Sequence, residues 1–412
     1  MSITNISDSV EAALVQARAD RLPDLVFRKH PLTSLFKHVK WGGELKKIPV
    51  KFAYGAGGSG NFGNAQANQS DDSNVAFLVT LGLDYMIKQV KLTDIEAAQD
   101  DGAVIDLLMD RMEGCIKEAG DRLENQLIKS GYNEKGTVGS AAASTVTLSS
   151  PSQAINFKPG YKIVAATALN SASLINSGAV GTVLSVDANA GTVTFTQTIA
   201  AIWGSLSAGN YLFSQGDKTG AAATMITGLA GWLPLTRPTA GDNWYNVDRS
   251  VDVESLAGVY VDGRNMILKV AIETAAARLF PRGGASPDTV ACSPIVWNKL
   301  AQGLQSFGGA NIVDYQGSAG RKAVASFKSI KLTTVCGDLD VLPCPGMDDD
   351  KLYVLDSSHW FLSSPSGDII KNANPNGKTL TVSNADSIEI RERTFGQCYT
   401  DAPGFNAVVQ IA

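Results

Sequence analysis

The sequence predicts an α+β protein organised around one long helix. Three observations carry that reading. Apolar residues across 103–131 recur at steps of three and four, as on one face of a helix. The stretches 45–54 and 75–90 alternate with period two instead, as strands do. Residues 137–218 lose nearly all charge and break into short strand-like runs between turn residues.

The helix has a lead-in. Thr93-Asp94-Ile95-Glu96 has the form of a capping box, Gly102 interrupts, and Asp100 or Asp101 serves as a second cap. Val104, Leu108, Met112, Cys115, Ala119, Leu123 and Leu127 then share one face. The other face carries Asp106, Asp110, Arg111, Glu113, Lys117, Glu118, Asp121, Arg122 and Glu124. Gly131 ends the helix as a left-handed cap, after a Lys129 whose charge suits the C-terminal dipole. The rod is roughly 42 Å long at the ordinary helical rise.

Residues 1–44 read as an arm. An amphipathic helix is predicted over 9–21, and Pro23 and Pro31 break the chain twice beyond it. Such a segment buries nothing by itself and is expected to lie across another surface. The first 51 residues hold nine Lys or Arg against five acids, which leaves a net −9 on the remainder of a chain whose total is −5. A basic arm on an acidic body favours contact between copies or with a polyanion. The overall charge of −5 argues against a dedicated nucleic-acid binder.

Residues 45–92 form a long hairpin. Ile48, Val50 and Phe52 alternate on the first strand, and Phe77, Val79, Leu81, Leu83 and Tyr85 on the second. Between them lies a mobile glycine-rich tip: Gly55, Gly57, Gly58, Gly60, Phe62, Gly63 and polar residues to Asn74. Gly55, Gly57 and Gly60 match G-x-G-x-x-G after a strand. A dinucleotide site is rejected because 61–74 is too polar and Gly-rich to open a packed helix.

Residues 137–218 suggest a small barrel or sandwich inserted into a host domain. Strands are expected at 145–148, 162–165, 180–186, 192–196 and 211–214, and 157–162 and 206–211 read as weakly related repeats. The host resumes near 220. Helices are expected at 265–280 and 295–305, the second opened by Ser293-Pro294. Strands are expected at 289–292, 324–328, 330–335, 339–343, 351–356, 360–362, 379–382, 388–395 and 405–411.

Catalytic and metal chemistry is not in evidence. The five cysteines are scattered with no C-x-x-C, so reduced thiols are expected. His30 and His38 fall in the arm, and His359 reads as a packed or surface residue. No G-x-S-x-G is present, and Gly377-Lys378-Thr379 lacks the first glycine of a phosphate loop, which would fall at Asn372. Asp348-Asp349-Asp350 lacks the spaced ligands of a calcium loop and reads as a solvated turn. No run of 18 apolar residues and no signal-peptide pattern occurs, so a membrane is not expected and cytoplasmic synthesis is.

The order of parts resembles the major capsid protein of tailed bacteriophages, the Hong Kong 97 fold. The end of the long helix, Asp121-Arg122-Leu123-Glu124-Asn125-Gln126-Leu127-Ile128-Lys129-Ser130-Gly131, is similar to that family's spine helix. Ser387-Ile388-Glu389-Ile390-Arg391-Glu392-Arg393-Thr394-Phe395-Gly396 and Ala402-Pro403-Gly404-Phe405 are similar to its closing strands.

The resemblance implies an N-arm (1–44), an E-loop (45–92), a P domain with the spine helix (93–136 and 219–254), an inserted all-β domain (137–218), an A domain (255–345) and closing strands of both (346–412). It implies a virion shell protein, not an enzyme and without cofactors, that self-assembles as hexamers and pentamers. The partners implied are a separate scaffold, a portal protein and packaged DNA held nonspecifically on the inner face. Neighbour contacts would come from the E-loop tip and from Arg18, Arg21, Arg28 and Lys29 of the arm. The acidic spine face of Asp106, Asp110, Glu113, Glu118 and Asp121 would receive a neighbour's arm. The tip holds no Lys, so a shell free of covalent crosslinks is expected.

The inserted domain would hold a decoration protein or stabilise contacts between capsomers. A cellular nanocompartment shell of the same fold is the nearest alternative. A β-rich glycan-binding adhesin is the alternative from a different class.

Overall fold

A computed structural model describes residues 30–43, 45–91, 101–218, 220–306, 330–365, 367–372, 380–381 and 387–411, with side chains except at 88–91, 101–111, 305–306, 372, 380–381 and 387–388. The capping box at Thr93, the helix at 9–21, Arg321 and Lys322, the strand at 324–328 and the Gly377-Lys378-Thr379 run lie outside the described residues.

The first part of the chain forms α1 (Pro31–Leu35), β1 (Lys37–Lys40), β2 (Leu45–Ala53), α2 (Phe62–Ala67), β3 (Ser73–Thr80), β4 (Gly82–Lys91) and α3 (Asp101–Ile128). The next forms β5 (Gly136–Ala142), β6 (Thr145–Leu148), β7 (Lys162–Ala166), β8 (Gly181–Asp187), β9 (Thr192–Phe195), α4 (Ile199–Ile202) and β10 (Tyr211–Ser214). Then come α5 (Leu229–Trp232), β11 (Asn243–Trp244), β12 (Val247–Asp248), α6 (Val253–Ala257), β13 (Val259–Asp262), α7 (Leu268–Leu279), β14 (Thr289–Cys292) and α8 (Pro294–Ser306). The chain closes through β15 (Ile330–Thr334), β16 (Gly337–Pro343), β17 (Lys351–Leu355), β18 (Trp360–Ser364), β19 (Ile370–Asn372), β20 (Leu380–Thr381), β21 (Ser387–Thr400) and β22 (Ala407–Gln410).

The long helix α3 lies on a sheet of order β1-β18-β21-β19, in which β4 and β20 also pair with β21. Met112, Cys115, Ile116, Ala119, Leu123 and Leu127 are buried, as the period of their spacing requires. They share one core with Leu32, Phe36, Phe77, Trp232 and Trp360. Gly131 follows the helix at φ 93°, the left-handed conformation expected of it.

A second sheet, β13-β22-β17-β14-β16-β15, packs α7 and α8 through Ala271, Ile272, Ala275, Leu279, Val296 and Leu300. Ser293 opens α8 as predicted, its Oγ accepting from Val296 N at 3.2 Å.

The strands from Gly136 to Ser214 close into a barrel, β10-β5-β6-β9-β8-β7. The barrel is an internal duplication. β5 and β6 pair with the same register, the same one-residue bulge and the same burial pattern as β8 and β9. Each half supplies its third strand to the other: β10 pairs β5, and β7 pairs β8. Gly160 and Gly209, at φ 86° and 85°, stand at matching turns, each donating to a valine carbonyl (Val183 and Val138) at 2.8 Å. The weak repeats at 157–162 and 206–211 are the turns that lead into the third strand of each half. The β5 strand was missed because its glycines, serine and alanines give no apolar alternation.

Three expectations are corrected. The returning strand over 75–90 is two strands in different sheets, broken at Leu81. The inward parity flips there: Phe77 and Val79 point into the core, but Asp84 does so on β4 while Leu83, Tyr85 and Ile87 are exposed. The hairpin is not free along its length, since Ile48, Val50, Phe77 and Val79 are buried and Phe77 meets Trp232 edge-on at 5.3 Å. Nor is the arm free to residue 44. Leu32 and Phe36 are buried, Phe36 stacks on Trp360 at 5.3 Å, and β1 pairs in parallel with β18.

Candidate assembly surfaces

β2 and β3 run antiparallel from Leu45–Thr80 to Ala53–Ser73, and the tip lies beyond them. The tip is closed by its own hydrogen bonds. Gly55 N donates to Asp72 Oδ1 at 2.8 Å, and Lys51 pairs with the same carboxylate. Ala56 N donates to Ser70 Oγ, and Ser70 N to Ala56 O, both at 2.8 Å.

A short helix opens here, but not a packed one. Asn61 caps α2 by accepting from Gly63 N at 2.9 Å. That local cap was enough to form a short helix in a polar stretch, but α2 contains no buried residue. Gly55, Gly57, Gly58, Gly60 and Gly63 are exposed, and the rings of Tyr54 and Phe62 are 83% and 84% exposed. The tip is therefore a shaped element whose large side chains face solvent in the single chain.

The spine helix carries a second buried stripe that is charged. Glu118 accepts from Tyr161 and from Lys158 Nζ, the latter at 2.5 Å. Burial opposes the charge on Glu118, but Lys158 and Tyr161 hold its carboxyl below the usual value. One turn on, Arg122 chelates Asp84 of β4 through Nε (2.8 Å) and Nη2 (2.6 Å), and reaches Asp217 at 3.0 Å. Burial opposes the guanidinium charge as well, and the two carboxylates overcome it and raise its pKa. Gln126 donates to Asp84 at 2.6 Å, and Asn133 to Asp217 at 3.0 Å.

At the helix end, Lys129 Nζ lies 2.7 Å from Asp348 Oδ1. The barrel thus sits along the C-terminal half of the spine on a row of fixed charges. Such charges are costly to bury and are retained where both partners are held in register.

This corrects the acidic-face expectation at Glu118. Glu118 is buried against the chain's own barrel, Asp121 is taken by Lys158 at 3.0 Å, and Glu113 pairs with Lys117. The side chains of Asp106 and Asp110 lie outside the described ones, as do Arg18, Arg21, Arg28 and Lys29 altogether. Spacing along the helix located the polar residues, but it could not tell a solvated face from one covered by residues 37–43 positions away.

The aspartate run is corrected too. Asp348 is buried and accepts from Lys129, from Lys351 at 2.6 Å and from Gln153 of the barrel at 2.6 Å. Burial opposes its charge, yet the two lysines depress it far below the carboxylate range. Asp349 accepts from Ser152 N and Oγ at 3.2 and 2.6 Å and from Ser293 Oγ, and its own N–H donates to Ser150 at 2.8 Å. The run is a junction that ties barrel, spine and the start of α8 together.

A further surface escaped the sequence reading. Leu83, Tyr85 and Ile87 form an exposed apolar strip on β4, with Phe395, Arg393 and Arg391 paired across from them on β21. The available signal was Asp84, a charged residue within the alternation, opposite in parity to its apolar neighbours.

No group of three or more His, Cys, Asp or Glu suited to a metal ion occurs among the described residues. His359 pairs with Asp401 at 2.7 Å and meets Phe405 edge-on. No described helix is long and apolar enough to cross a membrane.

A scan against protein-family models finds no match, and neither does a search of curated proteins. Solved structures do match. The capsid asymmetric unit of cyanophage A-1(L) superposes at a TM-score of 0.53 with 12% identity, over 93% of this chain and 92% of that one. The chain has the Hong Kong 97 capsid fold. Chains from Mycobacterium phage Ogopogo (TM-score 0.45, 11% identity, 93% and 92% covered) and from an encapsulin complex of Synechococcus elongatus (0.40, 7%, 92% and 86%) are also similar, but the assignment rests on the first. In this Hong Kong 97 chain, α3 and the hairpin β2–β3 share one core, and the β13–β22 sheet packs α7 and α8 on one side while Ala291, Tyr353, Leu355 and Val408 join the core of α3.

Proposed function

We propose that this chain is the major capsid protein of a tailed bacteriophage and builds its icosahedral head from hexamers and pentamers of identical subunits. The observation that carries the reading is the fold match along 93% of the chain, taken with an E-loop tip whose Tyr54 and Phe62 stay largely exposed in the single subunit, Tyr54 meeting only the Lys51 ammonium among its described ring contacts. Exposed aromatic side chains on a shaped hairpin are what an interface between copies uses.

The tip, from Gly55, Gly57, Gly58 and Gly60 to Phe62 and Gly63, reaches a neighbouring subunit, and the strip of Leu83, Tyr85 and Ile87 is a second contact surface. Arg18, Arg21, Arg28 and Lys29 of the arm contact neighbours. Their landing ground is not Glu118, which the barrel already covers. The duplicated barrel, which we place at 136–214, is an inserted domain braced on the spine. Scaffold and portal proteins are separate chains, and DNA on the inner wall is held without sequence preference. The site serves assembly, not catalysis.

Sedimentation velocity of the purified chain tests this. Wild type forms large particles, and the double variant Tyr54→Ala, Phe62→Ala stays small while keeping its fold. A double variant that assembles like wild type overturns the role given to the tip. Encapsulated DNA, as against a single enzyme cargo, separates a phage head from a nanocompartment.

A further inference from the structure

A strand at the end of a sheet leaves one row of backbone N–H and C=O groups without a ladder partner. β4 is such a strand: it is 10 residues long and pairs with β21 alone among the described strands. Leu83 N donates to Thr224 O at 3.3 Å, on the side away from β21. Residues of an antiparallel strand alternate between facing the partner strand and facing away from it. Tyr85 and Ile87 follow Leu83 at even steps in an unbroken register, so their N–H and C=O groups face away as well. No described residue accepts from either N–H. Their side chains, with that of Leu83, form the exposed strip.

The other outer strands of four residues or more are guarded or taken up. β1 carries Lys37 and Lys40, and β15 carries Lys331. β2 carries Lys47 and Lys51, and places Pro49, which has no N–H, opposite Ala76. The outer side of β3 is used within the chain, where Leu78 N donates to Tyr245 O at 3.0 Å and Gln397 Nε2 to Thr80 O at 2.9 Å. On β13, Arg278 Nη1 donates to Tyr260 O at 2.8 Å. Lysine and proline on an edge are how proteins refuse an added strand. From Gly82 to Ile87, β4 has neither. Its one charge there, Asp84, is buried and held by the fork of Arg122, which also fixes the strand in place.

We propose that the free edge of β4 is an interface between copies, to which β4 of a second copy adds antiparallel as the next strand. The occupant follows from the edges themselves: β1, β2 and β15 repel an added strand, β3 and β13 are in use, and β4 is open. In the pairing, odd-numbered residues of one copy face odd-numbered residues of the other, because those carry the outward N–H and C=O groups. Leu83, Tyr85 and Ile87 of both copies then lie on one face, and the apolar strip doubles in width. Arg391, across from Ile87 on β21, is paired with Glu389, so its charge is met within the chain. The contact is two-fold, so it joins two copies and stops. It deepens the contact role given to the strip and rests on that reading for the presence of a second copy.

Hydrogen–deuterium exchange on the full chain, single and assembled, tests it. The amides of Tyr85 and Ile87 are expected to exchange at least tenfold more slowly in the assembled form, with a smaller change at Asp84 and Met86, which face β21 in both. Ile87→Pro removes one outward N–H at an edge position that tolerates proline, and Ile87→Ala removes the side chain alone. The proline variant is expected to need at least tenfold higher concentration for half-association than the alanine variant. Equal concentrations overturn strand addition, and so do particles in which the two amides stay as open as in the single chain; the shell reading survives both results. If Ile87→Pro does not fold, the exchange in wild type decides. A chain that stays single at every concentration overturns this contact together with the shell reading.

Discussion

Lys129, the residue after the last turn of the spine, and Asp348, 219 positions later, form a buried ion pair at 2.7 Å. Lys351 and Gln153 hold the other sides of the same carboxylate. One side chain therefore ties together the end of the spine, the barrel and the entry to β17.

Asp348→Asn preserves the shape of that junction and removes its charge. Lys129 and Lys351 then lose the carboxylate they both hold, and only the charges of Glu134 and Asp350 remain nearby. Loss of one partner from a buried pair costs about 3–5 kcal/mol. Chemical denaturation should report a loss of that order, with a smaller loss in the double variant Asp348→Asn, Lys129→Met.

The same carboxyl sets the acid limit. Its pKa is held below the ordinary 3.8, so it contributes stability above that value and loses it as pH falls below about 4. Thermal melts of wild type should drop steeply below pH 4, and Asp348→Asn should show a shallower acid limb from a lower plateau.

Arg122 chelates Asp84 at the root of the E-loop and also holds Asp217 where the chain leaves the barrel. Lysine has one point charge and cannot reproduce both contacts. Arg122→Lys should cost about 1–3 kcal/mol in denaturation. An unchanged midpoint would mean that the two carboxylates do not depend on the fork.

The E-loop tip should behave oppositely. Tyr54 and Phe62 bury little in the single chain, so Tyr54→Ala and Phe62→Ala should change its stability by less than about 0.5 kcal/mol. Melting of the unassembled variants checks this, and a loss above about 2 kcal/mol would mean that the tip folds back on its own subunit.

Assembled particles should dissolve completely. No Lys occurs from Gly55 to Asn74, so the tip has no amine for an amide crosslink. Boiling in denaturant should release single chains on an electrophoresis gel. A ladder of covalent oligomers would show a linkage from elsewhere in the chain.

Much of the fold was legible where local periodicity and burial coincide. The face of Met112, Cys115, Ala119, Leu123 and Leu127, the cap at Ser293 and the stop at Gly131 all stem from a residue's near neighbours. The illegible part depends on partners far along the chain. Glu118 looked solvated until Lys158 and Tyr161 covered it, and Asp348 until Lys129 and Lys351 did. The break at Leu81 was hidden because alternation continues through it, although the strand changes sheet and its inward side reverses. The exposed strip of Leu83, Tyr85 and Ile87 was missed for the same reason. The duplication in the barrel was faint because register and bulge position repeat there more faithfully than residue identity does.

Electron microscopy of the purified full-length chain tests the central claim most directly. The account predicts closed hollow shells of uniform size with facets of six-fold and five-fold units. A monodisperse single chain at high concentration, across the salt and pH conditions in which such proteins are handled, would contradict it.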